Sequence, residues 1–276
     1  MSVSSQAERK TVEVNGTRLS YLEAGSPDAP PLLLLHGTFW SRVWQPVLPL
    51  LAGELRCLAL DFPGFGCSEG ELEVEEASVP ALAKVVEAAA DALGLDTFAV
   101  AAHDIGGGVA QHLAAYSGRV TKLVLVNAVM FDSWPVPAVE RFRDPALREA
   151  TSTEDLLAAR TKTMQLTVER PLTDEEINDY VTPWRSPARA RSWMAMAAAA
   201  DPRYTLDLLP ALKSAAVPTR LIWGRDDDFQ KVTFARRYVA ELPSSDLVEV
   251  AGKHIPMEDS AQEIAAAMLQ HLSGPL

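Results

Sequence analysis

The sequence predicts an α/β fold, a mostly parallel sheet covered by helices on both faces with a helical insertion over one end. Three observations carry this. Short apolar runs that stop at glycine or proline alternate with segments of helical period, the pattern of buried parallel strands joined by crossover helices. The alternation breaks only between about residues 131 and 216. The side chains best suited to chemistry sit just beyond the C-terminal ends of expected strands, where α/β proteins bind their ligands.

From the N-terminus, "TVEVNGTRL" alternates about Asn15-Gly16, a hairpin-turn dipeptide, so two antiparallel strands are expected at one edge. "PLLLLHG" (31–37) is a buried strand ended by glycine. "VWQPVLPLLAG" (43–53) reads as a helix despite its prolines, ending at Gly53. "LRCLALDFPG" (55–64) is a strand stopped by a proline-glycine turn. "VPALAKVVEAAADALG" (79–94) puts Val79, Leu82, Val85, Ala89 and Leu93 at helical spacing and stops at Gly94. "TFAVAAHD" (97–104) is a strand, "IGGGVAQHLAAYSG" (105–118) a helix and "KLVLVNAV" (122–129) a strand. "TRLIWG" (219–224) and "DLVEVAG" (246–252) are strands, with helices "FARRYVAEL" (234–242) between them and "SAQEIAAAMLQHL" (260–272) after them. Eight strands result. The interrupted stretch is helix-like, rich in alanine and arginine, and holds Trp134, Trp184 and Trp193. It reads as a helical lid over 131–216 on a core formed by 1–130 and 217–276. "WPVP" (134–137) suits the hinge, because proline stiffens the exit from the sheet.

Composition narrows the function classes. The chain has 276 residues, 48% of them apolar and 22% charged, with a formal net charge of −12. Nucleic acid and anionic membranes both require a basic surface, so neither is expected as a partner. A small apolar organic substrate is compatible with an acidic exterior, and the protein is expected as a monomer or homodimer. Cys57 and Cys67 are too few for a disulfide framework and have no zinc-ligand spacing, so neither metal nor cofactor is expected. "MSVSSQAERK" lacks an apolar signal region, and the longest aliphatic run, 32–35, is too short to span a bilayer. A cytoplasmic location follows as an expectation.

The chemistry centres on "AHDIGG" (102–107). Asp104 stands where a strand turns sharply into a helix, flanked by small residues that permit the turn. Such an elbow exposes a nucleophile at a helix N-terminus. The plainer alternative is that Asp104 only caps the helix, a role aspartate often fills. "AGKHIPMEDS" places His254 after the last strand, and "WGRDDDF" places Asp227 after the preceding one, with Asp226 and Asp228 as solvated loop charges. The chain order is nucleophile, acid, histidine. His36 is expected to bond nearby backbone, His103 to point away from the site, and His112 and His271 to serve packing or the surface.

The chain resembles the α/β-hydrolase superfamily over nearly its whole length. The resemblance rests on "HG" (36–37), "DFPGFGCS" (61–68), "AHDIGG", "WGRDDDF" and "GKH" (252–254). The aspartate at the elbow is similar to the branch that holds haloalkane dehalogenases, haloacetate dehalogenases and epoxide hydrolases. The resemblance implies an eight-stranded sheet and a triad of Asp104, Asp227 and His254, with backbone N–H groups of Thr38 and Ile105 as oxyanion hole. A carboxylate is poor at acyl transfer, but it displaces a leaving group from saturated carbon to give an alkyl ester. His254 would then activate water against that ester, oriented by Asp227.

The leaving group is less legible. Haloalkane dehalogenases usually carry tryptophan after the nucleophile and asparagine after the histidine-glycine pair, where this chain has Ile105 and Thr38. Haloacetate dehalogenases tend to have arginine after the nucleophile, and epoxide hydrolases proline where this chain has Phe39. Epoxide opening also needs a proton donor, and Tyr180 and Tyr204 are the candidates in the lid. Phe39, Trp40, Trp134 and Trp184 are expected to wall the pocket, with lid tryptophans also able to donate N–H to a halide. On this balance epoxide opening stands slightly ahead of halide displacement. An ester-cleaving or non-hydrolytic relative, with Asp104 as a base, and a binding protein without turnover are the alternatives.

Overall fold

The computed structural model describes residues 7–273. Eight strands form one sheet in the order β1-β2-β4-β3-β5-β6-β7-β8. Their ranges are β1 Glu8–Val14, β2 Thr17–Ala24, β3 Pro31–Leu35, β4 Arg56–Leu60, β5 Phe98–Asp104, β6 Val120–Ala128, β7 Thr219–Gly224 and β8 Ser245–Val250. β1 pairs antiparallel with β2, and β2 antiparallel with β4, while every later pairing is parallel. The edge hairpin turns on Asn15 (φ 52°) and Gly16 (φ 81°), both left-handed as a two-residue turn requires.

The centre of the sheet is dry because helices cover both faces. Leu32, Leu33, Leu34 and Leu35 of β3 are all fully buried, so this strand needs no polar face. Each such leucine contributes about 1.5–3 kcal/mol of transfer free energy. The helix Val79–Ala92 packs on the helix Ile105–Tyr116, and Ala261–Leu272 packs against β7 and Leu48–Leu51. The expected helix over 43–53 is a correction. A 3-10 turn, Ser41–Trp44, is followed by a separate short helix, Leu48–Leu51. Pro46 has no N–H to donate and crowds the preceding turn, so the helix restarts beyond it and tolerates Pro49 only in its first turn.

Between β6 and β7 the described residues contain helices and no strand. Thr153–Leu166, Asp174–Val181 and Pro187–Ala198 are the longest of them. Arg203–Leu206 and Leu209–Ala215 pack on Ile105–Tyr116, so the C-terminal part of the 131–216 stretch forms a layer of the core. Among the described residues no helix is long and apolar enough to cross a membrane.

A buried ionic cluster fastens the insertion to the core. Glu258, four residues beyond His254, accepts from Tyr180 Oη at 2.7 Å and Arg42 Nη1 at 2.9 Å, and pairs with Arg170. Its side chain is only 4% exposed. Glu258 is the carboxylate that the buried Arg42 and Tyr180 share, so neutralising it leaves the Arg42 guanidinium and the Tyr180 hydroxyl without their buried acceptor charge. Glu258→Gln is therefore expected to cost about 3 kcal/mol, read from denaturant unfolding. A loss below ~1 kcal/mol would place the cluster with ordinary surface pairs.

Candidate active site

β5 ends at Asp104 with φ 53° and ψ −129°, a conformation that a residue with a Cβ adopts only under constraint. The chain turns there and enters the helix Ile105–Tyr116 without a linker. Two close approaches make this possible. A Cβ on Gly37 would lie 2.5 Å from the Asp104 carboxylate, and one on Gly106 would lie 2.5 Å from the His36 carbonyl.

The carboxylate does not cap the helix: Asp104 makes no side-chain capping bond. Its Oδ2 accepts instead from Thr38 N–H at 2.8 Å and from Thr38 Oγ1 at 2.7 Å. His254 Nε2 stands 3.9 Å from the same oxygen. On its other side His254 Nδ1 lies 3.0 Å from Asp227 Oδ2. Three donors fix Asp227: Asn127 Nδ2 at 2.7 Å, Phe229 N–H at 2.7 Å and Gln230 N–H at 3.0 Å. Asp226 and Asp228 are exposed.

The supporting groups follow from the strand ends. Asn127 (φ 42°), at the end of β6, also accepts from Gly224 N–H at 2.8 Å, which ties the acid loop to the sheet. His103 donates from Nε2 to the His254 carbonyl at 2.8 Å, so it holds the histidine's backbone from behind. His36 donates to the Gly37 carbonyl through Nδ1 and accepts from Phe62 N–H through Nε2, locking the turn that carries Thr38. The loop after His254 is stitched to the insertion, with Ile255 N–H donating to Thr167 O at 2.8 Å.

Burial alone would raise the affinity of Asp104 for a proton. The nearby His254 imidazole and the Thr38 N–H overcome this and hold it well below the usual carboxylate range. Burial likewise disfavours the His254 cation. The charge and hydrogen bond of Asp227 and the nearby Asp104 carboxylate outweigh it, and its pKa rises to about 10. Asp227 is lowered, with burial opposed by the His254 charge and by the bonds from His254 and Asn127. His103, by contrast, is pushed down to about 4, mainly by burial.

The sign of the pH effect follows. His254 in the folded protein binds its proton more tightly than in the unfolded chain, whose value is ~6.5. Its contribution is fully present below that value and is lost as pH rises toward 10. Unfolding free energy is expected to fall across this alkaline window, and His254→Gln should flatten the slope. Equal slopes in the two proteins would contradict the assignment.

In front of Asp104 lies a cavity of about 160 Å³, close to the ~150 Å³ that accommodates benzene in a protein core. Thr38, Phe39, Asp104, Trp134 and His254 line it. Ile105 opens the helix, where a backbone N–H has no intrahelical acceptor. The other pocket candidates sit elsewhere. Trp40 donates Nε1 to the Tyr180 carbonyl at 3.0 Å and borders a separate groove. Tyr180 spends its hydroxyl on Glu258. Trp184 is buried behind Phe39, with ring centroids 5.7 Å apart. Tyr204 borders a surface hollow beside Arg143 and Asp201.

Sequence reasoning missed several lining residues. Leu156, Ala159, Arg160 and Thr163 share one face of Thr153–Leu166 and all line the cavity, as their i, i+3, i+4, i+7 spacing allows. An arginine within that face was the available signal. Phe229 and Gln230 were missed as well, whereas Trp193, one of the lid tryptophans singled out in the sequence, does line the cavity. The Nε1 atoms of Trp134 and Trp193 and the Nε of Arg160 are buried with no hydrogen-bond partner.

The sequence pattern of the alpha/beta hydrolase family matches residues 32–267. A haloalkane dehalogenase of Bradyrhizobium diazoefficiens is 28% identical over 306 aligned positions, covering 99% of this chain and 97% of that protein. An epoxide hydrolase of Caenorhabditis elegans is 33% identical over 123 residues, 44% of this chain and 30% of that protein. The crystal structure of the haloalkane dehalogenase DbeA from Bradyrhizobium elkani superposes with a TM-score of 0.81 at 26% identity, covering 98% of each chain.

Proposed function

The chain belongs to the alpha/beta hydrolase family and is a hydrolase of the dehalogenase and epoxide hydrolase type; from that premise we propose that it hydrolyses a carbon–halogen bond through an alkyl ester on Asp104. Asp104 Oδ1 or Oδ2 attacks the halogen-bearing carbon, the new C–O bond forms as the C–halogen bond breaks, and the halide leaves with the electron pair. His254 then takes a proton from water, which attacks the aspartyl carbonyl. The Thr38 N–H, with that of Ile105, stabilises the resulting oxyanion, a donor of this kind being worth about 3 kcal/mol of barrier. Collapse breaks the acyl C–O bond, the departing alkoxide takes its proton from the His254 cation, and the remaining proton passes to solvent as the Asp104 carboxylate is restored.

The observation that carries this reading is a single carboxylate at a strained elbow, held by Thr38 and facing the His254–Asp227 pair across an apolar cavity. Alkylation also supplies a switch. The ester has no charge, so His254 loses one of the two carboxylates that favour its cation and becomes the base the second step needs.

Halide is favoured over epoxide oxygen as leaving group for one reason. An alkoxide requires an acid, and neither Tyr180 nor Tyr204 lines the cavity. A halide requires only donors, and the buried indole N–H groups of Trp134 and Trp193 have no acceptor in the protein. The names of the full-length relatives point the same way. Residues 131 to about 200 act as a lid that sets substrate size and excludes water.

The reading is tested by a panel of short alkyl bromides and styrene-type epoxides, with released halide and diol measured separately. Halide without diol is expected; diol without halide would transfer the site to epoxide opening. Trp134→Phe and Trp193→Phe keep the ring bulk and remove the donor. Each is expected to slow halide release roughly tenfold, about 1.4 kcal/mol of barrier. Unchanged rates in both would remove the indoles from the halide site.

A further inference from the structure

Arg160 is buried, with 5% of its surface exposed, on a wall of the cavity that holds Asp104. Its faces are covered by aromatic rings: Phe39 at 4.4 Å, Trp184 at 4.8 Å and Trp193 at 5.0 Å from the guanidinium carbon. Rings satisfy the faces of a guanidinium but accept nothing from its edge. Along that edge only Nη2 has a protein acceptor, the Thr38 carbonyl at 3.1 Å, and Nε is buried without one. Among the described residues no carboxylate forms an ion pair with it. Burial lowers its pKa to about 10, opposed by the Asp104 charge, so it remains a cation at neutral pH.

A buried guanidinium with no directly paired carboxylate, favoured only at a distance by Asp104, carries a desolvation cost that an arriving anion would offset. The cavity wall as a whole has the same imbalance. Arg141, exposed, and Arg160 line it against a single lining carboxylate, Asp104, although the chain carries −12. An uncharged haloalkane would leave Arg160 as it stands.

We propose that the substrate is a short halogenated carboxylic acid whose carboxylate is seated on the Arg160 guanidinium, with Arg141 at the mouth drawing the anion in. The proposal rests on the carbon–halogen reading and adds the charge of the substrate to it. A guanidinium edge presents two parallel N–H donors that match a carboxylate, a geometry ammonium groups lack. Thr38 bonds Arg160 through its carbonyl and Asp104 through its N–H. The anchored carboxylate and the reacting carbon are therefore separated by a few bonds, which agrees with a cavity of about 160 Å³. The chemistry at carbon is unchanged: Asp104 displaces the halide, and water releases a hydroxy acid.

The test pairs 4-bromobutyrate with 1-bromobutane and its methyl ester. Wild type is expected to show kcat/KM at least about tenfold higher for the acid. In Arg160→Gln that preference should collapse, chiefly through KM, and Arg160→Lys should restore part of it. Where the variant fails to fold, calorimetry with wild type decides. Butyrate, which carries no leaving group, is expected to bind, and butyramide to bind at least tenfold more weakly. Equal use of acid and neutral bromides, or equal loss of both in Arg160→Gln, would overturn the proposal and leave Arg160 a holder of the Thr38 turn. The two readings fail separately. Adduct on Asp104 from bromobutane without acid preference defeats only the anchor; tight butyrate binding with no adduct from any bromide defeats only the carbon–halogen reading.

Discussion

Asp104→Asn is expected to lower turnover by roughly 10⁴- to 10⁶-fold, because it removes the attacking group and leaves everything around it in place. The amide oxygen still accepts from Thr38 N–H and the side-chain volume is unchanged, so the fold should persist. The loss should fall on kcat rather than KM, since substrate contacts along the cavity wall survive. His254 should lose proton affinity in the same variant, because one of the two carboxylates that raise it is gone. Slow deamidation regenerates aspartate, so activity must be followed in freshly prepared protein, with Asp104→Ala as the control. A variant retaining a tenth of wild-type activity would make Asp104 a spectator, neither nucleophile nor base.

His254→Gln is expected to divide the reaction in two. The attack of Asp104 moves no proton, so halide should still be released, one equivalent per enzyme. Hydrolysis of the ester needs the imidazole, so the alkyl group should remain attached. Intact mass would show the adduct, and peptide mapping would place it at Asp104. The resting contact of 3.9 Å between His254 Nε2 and Asp104 Oδ2 leaves a gap across which water can approach the ester carbonyl. Full loss of halide release in this variant would instead make His254 essential to the first step, which a displacement by a preformed carboxylate does not allow.

How far the sequence could be read differed from element to element. Strand ends and glycine-bounded turns were legible because their chemistry is local: Asn15-Gly16 can hardly be anything but a turn, and four consecutive leucines in β3 imply burial on both faces. The Asp104 elbow was visible for the same reason, since the small residues around it answer to close approaches by Gly37 and Gly106. The insertion was legible only as helical. Which way its helices face depends on packing against distant loops, and spacing within a helix cannot report that. Tyr180 illustrates the limit. Its hydroxyl was one of two candidate proton donors, with that of Tyr204, yet its partner, Glu258, lies 78 residues away in the chain. Arg160 illustrates it in reverse, being one arginine among many in sequence and the only buried arginine on the cavity wall among the described residues. The supporting roles of Asn127 and His103 likewise arise from strands brought side by side.

The covalent role of Asp104 is tested most directly by a single turnover in water enriched in heavy oxygen. Ester hydrolysis at the aspartyl carbonyl leaves the solvent oxygen on the enzyme and gives the product an oxygen that began on the carboxylate. The first equivalent of product should therefore be unlabelled, and the peptide containing Asp104 should carry the label. Labelled product in the first turnover, with that peptide unlabelled, would mean that water attacks the substrate directly.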